Sequence, residues 1–224
     1  YLDNLPAVGK VISFASMVRV VEDLNDGRKL QGLEMGVLYT KIPDSIKKEI
    51  AEVISNSSIP EDLPHSRNTL EWLLKLEPDA DIDLQIAALG HDIDRAIEER
   101  KIRRLDYDNY DDFKQAHANN SAVILTEIMK NCNAPQKLIN DVVHLVEHHE
   151  TGYDHRVDIL KNADSLSFFQ INLPYYFSRN DVNETKRRFL WGYRRLSENL
   201  KSIVAEFEYS DNELMLLVKG WLAS

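Results

Sequence analysis

Cysteine and glycine are scarce in this chain of 224 residues. Cys132 is its only cysteine, so no intramolecular disulfide can form, and this usage is typical of a reducing compartment. A long apolar run is also missing, because the N-terminal stretch Val8–Val21 is interrupted by Gly9, Lys10 and Arg19 and is too short to span a bilayer. We therefore expect a cytoplasmic protein whose main domain has no membrane segment.

The chain also lacks an excess of basic residues. It has 27 Lys and Arg against 37 Asp and Glu, a formal net charge of -10. A nucleic-acid backbone is bound by clustered cations, so we expect no nucleic-acid partner. A small phosphorylated substrate remains compatible with this charge, because a bound metal ion reverses the local field. An oligomer is compatible with the composition as well.

The patterns that are present are those of helices. Eight glycines and little alternation of apolar and polar residues argue against strands, whereas apolar residues recur at spacings of three and four. Examples are Leu70, Leu73 and Leu74, and Leu138, Val142 and Val146. A long helix is predicted near residues 184–208 and a last short helix after Asp211. The predicted fold class is all-α, a helical bundle with an N-terminal helical appendage.

Residues 56–64 (NSSIPEDLP) are rich in helix breakers and divide the chain. We place a helical appendage at residues 1–54 and the main domain, with its C-terminal helices, at residues 55–224. The stretches LPAVGKVISFASMVRVVEDLNDG and LEMGVLYTKIPDSIKKEI resemble a short helical fragment of RND-type exporters over about 50 residues. The membrane spans of such a transporter are missing here, so the purpose of the appendage stays open.

Histidines and aspartates stand in several separate apolar helical segments. All seven histidines follow residue 64, and His91 and Asp92 form a doublet in IAALGHDI. Imidazole and carboxylate groups from neighbouring helices can build a divalent metal site in a bundle. The candidate ligands are His65, His91, Asp92, His117, His148, His149 and Asp164. His144 and His155 are interpreted as ordinary hydrogen-bonded residues.

The order H…HD…H…H…D, with LKNADSLSFF downstream, resembles the HD superfamily of metal-dependent phosphohydrolases over about residues 55–180. The resemblance implies an HD-domain bundle with two divalent ions, and Mn, Fe, Mg, Ni and Zn are not distinguished. By resemblance, the first ion is held by His65, His91, Asp92 and Asp164. The second is held by His117 and one of the adjacent pair His148 and His149, with Asp92 bridging; we favour His149.

Three cations stand one helical turn from these ligands, namely Arg95, Lys114 and Lys161. Residues three or four apart share a helix face, so these side chains are expected to point to the metal pocket. Guanidinium and ammonium groups there suit a phosphate. Together with Asp92 they form the predicted catalytic set of a phosphohydrolase acting on a nucleotide-like phosphoester or phosphoanhydride.

One position departs from a related pattern. Some HD nucleotidases read HDxxE, where the Glu is a catalytic acid or base, but Arg95 stands there in HDIDR and Asp94 does not replace it. This departure favours a mechanism in which two ions activate water. Two alternatives remain open: a di-iron HD-type oxygenase and a non-catalytic nucleotide-binding sensor.

The segment KRRFLWGYRR mixes four arginines with Trp191 and Tyr193. A basic-aromatic cluster can bind nucleic acid, but an amphipathic helix with solvated arginines is the preferred interpretation. The arginines are Arg187, Arg188, Arg194 and Arg195. Phe168, Phe169, Tyr175 and Tyr176 are interpreted as core, with a pocket wall as the alternative.

Overall fold

The computed structural model describes residues 43–223, and in this range the chain forms helices and connecting turns with no strand. The all-α prediction is confirmed there. The α-helices are α1 (Asp44–Ser55), α2 (Asp62–Leu76), α3 (Ile82–Gly90), α4 (Tyr110–Asn131), α5 (Gln136–His148), α6 (His155–Ser167), α7 (Leu173–Arg179), α8 (Val182–Arg195), α9 (Lys201–Val204) and α10 (Asn212–Leu222). Within the described range, none of these helices has both the length and the apolar character needed to cross a membrane.

Acidic and amide side chains set where many of the helices begin. Each accepts a hydrogen bond from a backbone N–H of the first turn, which otherwise has no partner. These capping residues are Asp81 before α3, Asn109 before α4, Asp154 before α6, Asp181 before α8 and Asp211 before α10. The predicted start of the last helix after Asp211 is thus confirmed. Such a cap contributes about 1 kcal/mol to stability.

The helices that carry the candidate ligands pack against one another. Helix α2 packs on α3 and α6, α5 packs on α3 and α4, and their apolar faces meet in the interior. Leu73, Leu125, Val142 and Leu160 are fully buried at these contacts. Full burial of such a side chain contributes about 1.5–3 kcal/mol to stability, so these contacts hold the ligand-bearing helices together.

Helix α1 is part of this bundle. Ile46, Ile50 and Ile54, four residues apart, are buried, and the helix packs on α2, α3 and α4. The described part of the predicted appendage, residues 43–54, therefore lies in the same compact unit as the main domain. The rest of the appendage, with most of its exporter-like stretch, lies outside the described residues.

The long helix predicted near residues 184–208 is wrong, because α8 ends at Arg195 and Leu196 is extended. A short 3-10 turn (Glu198–Leu200) and α9 follow. The break is fixed from outside the segment: Asn162 of α6 accepts a hydrogen bond from Ser197 N at 2.9 Å and donates one to Ser197 Oγ at 3.0 Å. These tertiary hydrogen bonds hold Ser197 outside a helix, although the sequence pattern predicts that the helix continues.

Candidate metal centre

Four imidazoles and two carboxylates converge at the centre of the bundle. They come from α2, the end of α3, α4, the end of α5, and α6, and all four imidazoles are buried. The residues are His65, His91, Asp92, His117, His149 and Asp164. The structure therefore brings together six of the seven residues that the sequence nominates as ligands.

The seventh candidate, His148, lies apart from this group. Its ring contacts the rings of His144 and Tyr153, with centroids 4.7 and 4.8 Å away, on the partly exposed side of α5. His148 is the last residue of α5, and His149 follows it with its ring fully buried. Successive side chains diverge by about 100° at a helix, so only one of two adjacent histidines can face the centre.

The apolar residues around the His91-Asp92 doublet predicted a position inside a helix, but the structure places the doublet just after a helix end. Helix α3 ends at Gly90, and a 3-10 turn begins at Ile93. The change of backbone direction allows two successive side chains to reach the same centre. The end of α3 lies close to Leu125 of α4, and this close contact requires glycine at position 90, because a Cβ atom there would lie 2.5 Å from Leu125 Cδ2.

One group of ligand atoms surrounds a point between α2, α3 and α6. The Nε2 atoms of His65 and His91 are 3.2 Å apart. Asp164 Oδ1 lies 3.3 Å from the first and 3.4 Å from the second. Asp92 Oδ2 is 3.8 Å from His65 Nε2. These are the four residues that the HD resemblance assigns to the first ion.

A second group lies on the other side of Asp92. Asp92 Oδ1 is 2.6 Å from His117 Nε2 and 4.0 Å from His149 Nε2. Glu150 Oε1 is 3.3 Å from the same His149 nitrogen. Asp92 Oδ1 is also 3.8 Å from His91 Nε2, so Asp92 contacts residues of both groups, as a bridging carboxylate does.

Hydrogen bonds fix which nitrogen of three of these rings carries the proton. The acceptors of Nδ1 are Ser167 Oγ for His65 (2.8 Å), Ala88 O for His91 (3.0 Å) and Val146 O for His149 (2.7 Å). A carbonyl oxygen can only accept, and the Ser167 hydroxyl donates its own proton to the carbonyl of His65. In its neutral form each of these rings therefore presents an Nε2 lone pair to the centre.

Lone pairs and carboxylates that converge in this way produce a negative potential, which favours a positive charge at the centre. The Nε2 atoms of His65 and His91 lie 3.2 Å apart, so their lone pairs must share either a proton or a cation. His149 Nε2 is buried and, within residues 43–223, has no hydrogen-bond partner. An Nδ1 atom anchored outside the centre with Nε2 turned inward is the usual arrangement of metal-binding histidines. Among the described residues, two such groups, His65 with His91 and Asp92, and His91 with His149 and Asp164, lie close enough together to hold a metal ion. The residues therefore fit a divalent cation.

His117 is held differently, between two carboxylates. Its Nδ1 atom is 2.5 Å from Asp94 Oδ1, and its Nε2 atom faces Asp92. Burial lowers the pKa of this ring, but the charges of Asp92 and Asp94 outweigh it and raise the pKa to about 10. Asp94 is itself held by the backbone N–H of Ile102 at 3.2 Å. Sequence reasoning missed Asp94 as the group that orients His117.

The two carboxylates of the centre remain ionised. Burial raises the pKa of Asp92, but His117 and His91 outweigh it and hold the pKa well below its usual range. For Asp164, burial is outweighed chiefly by Arg195, and the pKa again lies well below normal. Burial lowers the pKa of His65, which keeps this ring neutral. Burial also lowers the pKa of His91, but Asp92 and Asp164 outweigh it and raise the pKa. Metal ions bind ionised carboxylates and neutral imidazoles, so metal binding displaces any proton on Nε2 of His91.

Arg195 joins the centre from α8. It lies 3.0 Å from Asp164 Oδ2 and 3.0 Å from Glu150 Oε2, and it donates a hydrogen bond to the carbonyl of His149 at 3.1 Å. Lys114 pairs with Glu150 from α4. The prediction of a solvated arginine at position 195 is wrong, since its side chain is only 9% exposed. Three buried charges, on Arg195, Glu150 and Lys114, thus lie next to the ligands, and their burial is tolerated because each is paired.

The three predicted phosphate-binding cations have different positions. Arg95 spans two carboxylates, at 3.1 Å from Asp92 Oδ2 and 2.8 Å from Asp62 Oδ1. Lys114 is buried beside Glu150. Lys161 instead pairs with Asp158 at 2.7 Å, beside the turn at Gly152, so its predicted role at the centre has no support in this arrangement.

An open cleft of about 580 Å³ leads to the centre on the side of His117. We call it the basic cleft, because seven lining residues are cationic: Arg95, Lys101, Arg103, Arg104, Lys114, Arg179 and Arg188. Two lining residues are acidic, and four are aromatic: Tyr110, Phe113, Phe168 and Tyr176. Although the chain has a net charge of -10, these seven cations line one cleft next to the candidate centre.

The model of one protein family matches residues 43–217, and its description reads domain of unknown function (DUF4202). The matched range includes every residue of the candidate centre and of the basic cleft. No curated protein and no solved structure matches the chain.

Proposed function

This chain belongs to the DUF4202 family, and we propose that it is a metal-dependent phosphohydrolase of the HD type. The proposed reaction is hydrolysis of a phosphoester or phosphoanhydride in a small, nucleotide-like substrate. The observation that carries the proposal is the convergence of five ligand-type residues around Asp92 at the end of a cleft with seven cations.

Two ions are proposed, one on each side of Asp92. His65, His91 and Asp164 would hold the first, and His117 and His149 the second. When bound, divalent ions in such a site lower the pKa of water and neutralise charge on phosphoryl oxygens. Glu150 lies next to His149 but is already paired with Lys114 and Arg195, so we assign it to the support of the ligands.

The basic cleft supports a phosphorylated substrate. Arg95 is 28% exposed and faces the cleft while it holds Asp92, so a substrate phosphate can meet its guanidinium close to the ligands. Guanidinium groups bind phosphate oxygens through two parallel hydrogen bonds. The aromatic lining residues favour a substrate that also carries a ring, since a cleft of this volume is large enough for a nucleotide.

The proposal is tested by metal analysis combined with an assay of phosphatase, phosphodiesterase and nucleotidase substrates. The expected result is about two divalent ions per chain and hydrolysis of at least one nucleotide-like substrate. In Asp92→Asn both are lost, because this carboxylate faces ligands of both groups. The matched control is Asp158→Asn, which makes the same change at a carboxylate paired with Lys161 outside the centre.

Three outcomes contradict the proposal. Equal hydrolysis by wild type and Asp92→Asn ends the assignment of the centre. Two irons per chain with oxygen-dependent turnover favour an oxygenase. Tight nucleotide binding without turnover over the whole panel, with any of the metals Mn, Fe, Mg, Ni or Zn, favours a sensor.

A further inference from the structure

A second cavity, of about 370 Å³, adjoins the basic cleft, and we call it the side pocket. Four residues line both cavities: Arg104, Tyr110, Tyr176 and Arg188. The two cavities are therefore continuous at a junction formed by two arginines and two tyrosines. Trp191 of α8 lies on the side-pocket side, with its ring centroid 5.0 Å from that of Tyr110.

The acidic residues that line the two cavities are already paired with cations. Glu98 pairs with Lys101, Glu61 with Arg179, and Glu184 with Arg187. Arg95 and Lys114 are paired with acids near the centre. In the part of the chain that the structure describes, this leaves the two junction arginines, Arg104 and Arg188, as lining cations without a carboxylate within 4.0 Å.

Arg188 is held in place by aromatic rings and not by an acid. Its guanidinium carbon lies 3.8 Å from the centroid of Phe168 and 4.7 Å from that of Trp191. Its Nη1 atom is buried and has no hydrogen-bond partner among the described residues. Stacking on aromatic faces fixes a guanidinium and leaves its N–H groups available in the plane. The side chain as a whole is partly exposed and lines both cavities, so its other N–H groups can donate to an anion there.

Arg104 approaches the same junction from the loop before α4. Its guanidinium carbon is 5.9 Å from the centroid of Tyr110, and its Nη1 atom donates a hydrogen bond to the carbonyl of Tyr107. Two arginines without acidic partners, one on each side of the tyrosines, have the charge and donors to bind a phosphate with several oxygens.

We propose that Arg104 and Arg188 form a subsite for a second phosphate group, distinct from the phosphate at the metal centre. The ligand class that follows is a ring-bearing molecule with phosphates at two places, such as a nucleoside bisphosphate, with its ring against the tyrosines between them. This inference rests on the proposed function for the position of the first phosphate. A nucleoside monophosphate fills the cleft but leaves Arg188 without its acceptor.

The test is a calorimetric comparison of two probes, adenosine 5′-monophosphate and adenosine 3′,5′-bisphosphate, on the purified protein. We expect the bisphosphate to bind about tenfold more tightly, as one charge-assisted contact predicts. In Arg188→Gln this preference falls to less than about twofold, because the bisphosphate loses more affinity than the monophosphate. Arg194→Gln, an exposed position on α8 that lines neither cavity, is the matched control and keeps the full preference.

Arg188 also packs on aromatic residues, so Arg104→Gln provides a second variant at an exposed loop position. It is expected to reduce the preference for the bisphosphate in the same way. Equal binding of the two probes by wild type, no binding of either, or a parallel loss for both in each variant overturns the subsite. Released phosphate is measured in the same samples, so that the subsite and the proposed hydrolysis can fail independently.

Discussion

Arg195 Nη1 lies 3.0 Å from Asp164 Oδ2, and this ion pair attaches α8 to a candidate metal ligand of α6. The other oxygen of Asp164 faces the Nε2 atoms of His65 and His91. The arginine therefore sets the orientation of the carboxylate and compensates its charge in the interior. It makes this contact 31 residues away along the chain.

Replacing Arg195 is expected to weaken both the fold and the centre. Arg195→Gln removes the cation from the buried Asp164 carboxylate and leaves Glu150 paired with Lys114 alone, and breaking a buried pair in this way costs about 3–5 kcal/mol. We expect a lower free energy of unfolding in urea and weaker metal binding. Arg194→Gln removes the same charge from an exposed neighbour and is expected to change stability by less than about 0.5 kcal/mol. Equal stability of the two variants contradicts the role of Arg195.

The two adjacent histidines offer a direct test of the ligand set. His149→Gln is expected to remove one ion and to lower hydrolysis at least about a hundredfold, because an essential ligand of the second group is lost. His148→Gln is expected to retain both metal content and activity, since its ring contacts His144 and Tyr153 instead. Metal content per chain and initial rates are measured for both. The reverse order of effects would place the ligand at His148.

Asp94 is expected to act on the second ion through His117. Asp94→Asn keeps the shape of the side chain but removes the charge beside His117 Nδ1. Changes to such a partner typically lower metal affinity by about 10–100-fold. Titration with a chelator should therefore release one ion more easily and leave the other unchanged. Equal affinity of both ions in wild type and variant would show that the contact has no such role.

Metal binding is expected to release a proton from His117. Because the pKa of this ring is raised to about 10 without metal, it is protonated at pH 7.5, and a cation at Nε2 displaces that proton. Apparent metal affinity therefore rises with pH up to about 10. The stability of the metal-free protein depends on pH in the opposite direction. The contribution of His117 to the free energy of unfolding is fully present below its unfolded pKa of about 6.5 and is lost as pH rises through about 10. Calorimetry in buffers of different ionisation enthalpy measures the released protons, and a heat independent of buffer contradicts this assignment.

Two glycines in helices are expected to respond oppositely to alanine. Gly90→Ala places a Cβ atom 2.5 Å from Leu125 Cδ2, and overpacking of this kind costs about 1–3 kcal/mol. Gly220→Ala in α10 meets no atom within 4 Å and is expected to stabilise by about 0.5–1 kcal/mol. Thermal and urea unfolding measure both. A neutral effect of Gly90→Ala would show that α3 and α4 can separate without cost.

The order and spacing of the histidines and aspartates, with the apolar periodicity around them, predicted from sequence both an all-helical fold and six residues that the structure brings together. Local patterns carry this information, because helix formation and the placement of one ligand per helix depend on neighbours in the chain. The choice of His149 over His148 depended on where α5 ends, a boundary that periodicity does not locate to one residue.

Only the tertiary structure assigned Arg195, Asp94 and Glu150 to the centre and left Lys161 outside it. In the sequence these are ordinary charged residues of helices and turns, and their partners are up to 46 residues away. The burial of α8 against the aromatic core also determines which of its four arginines face inward. Pairing between distant charges is decided by how the helices pack. The helical periodicity of one segment does not predict which other helices pack against it, so it does not predict these pairs.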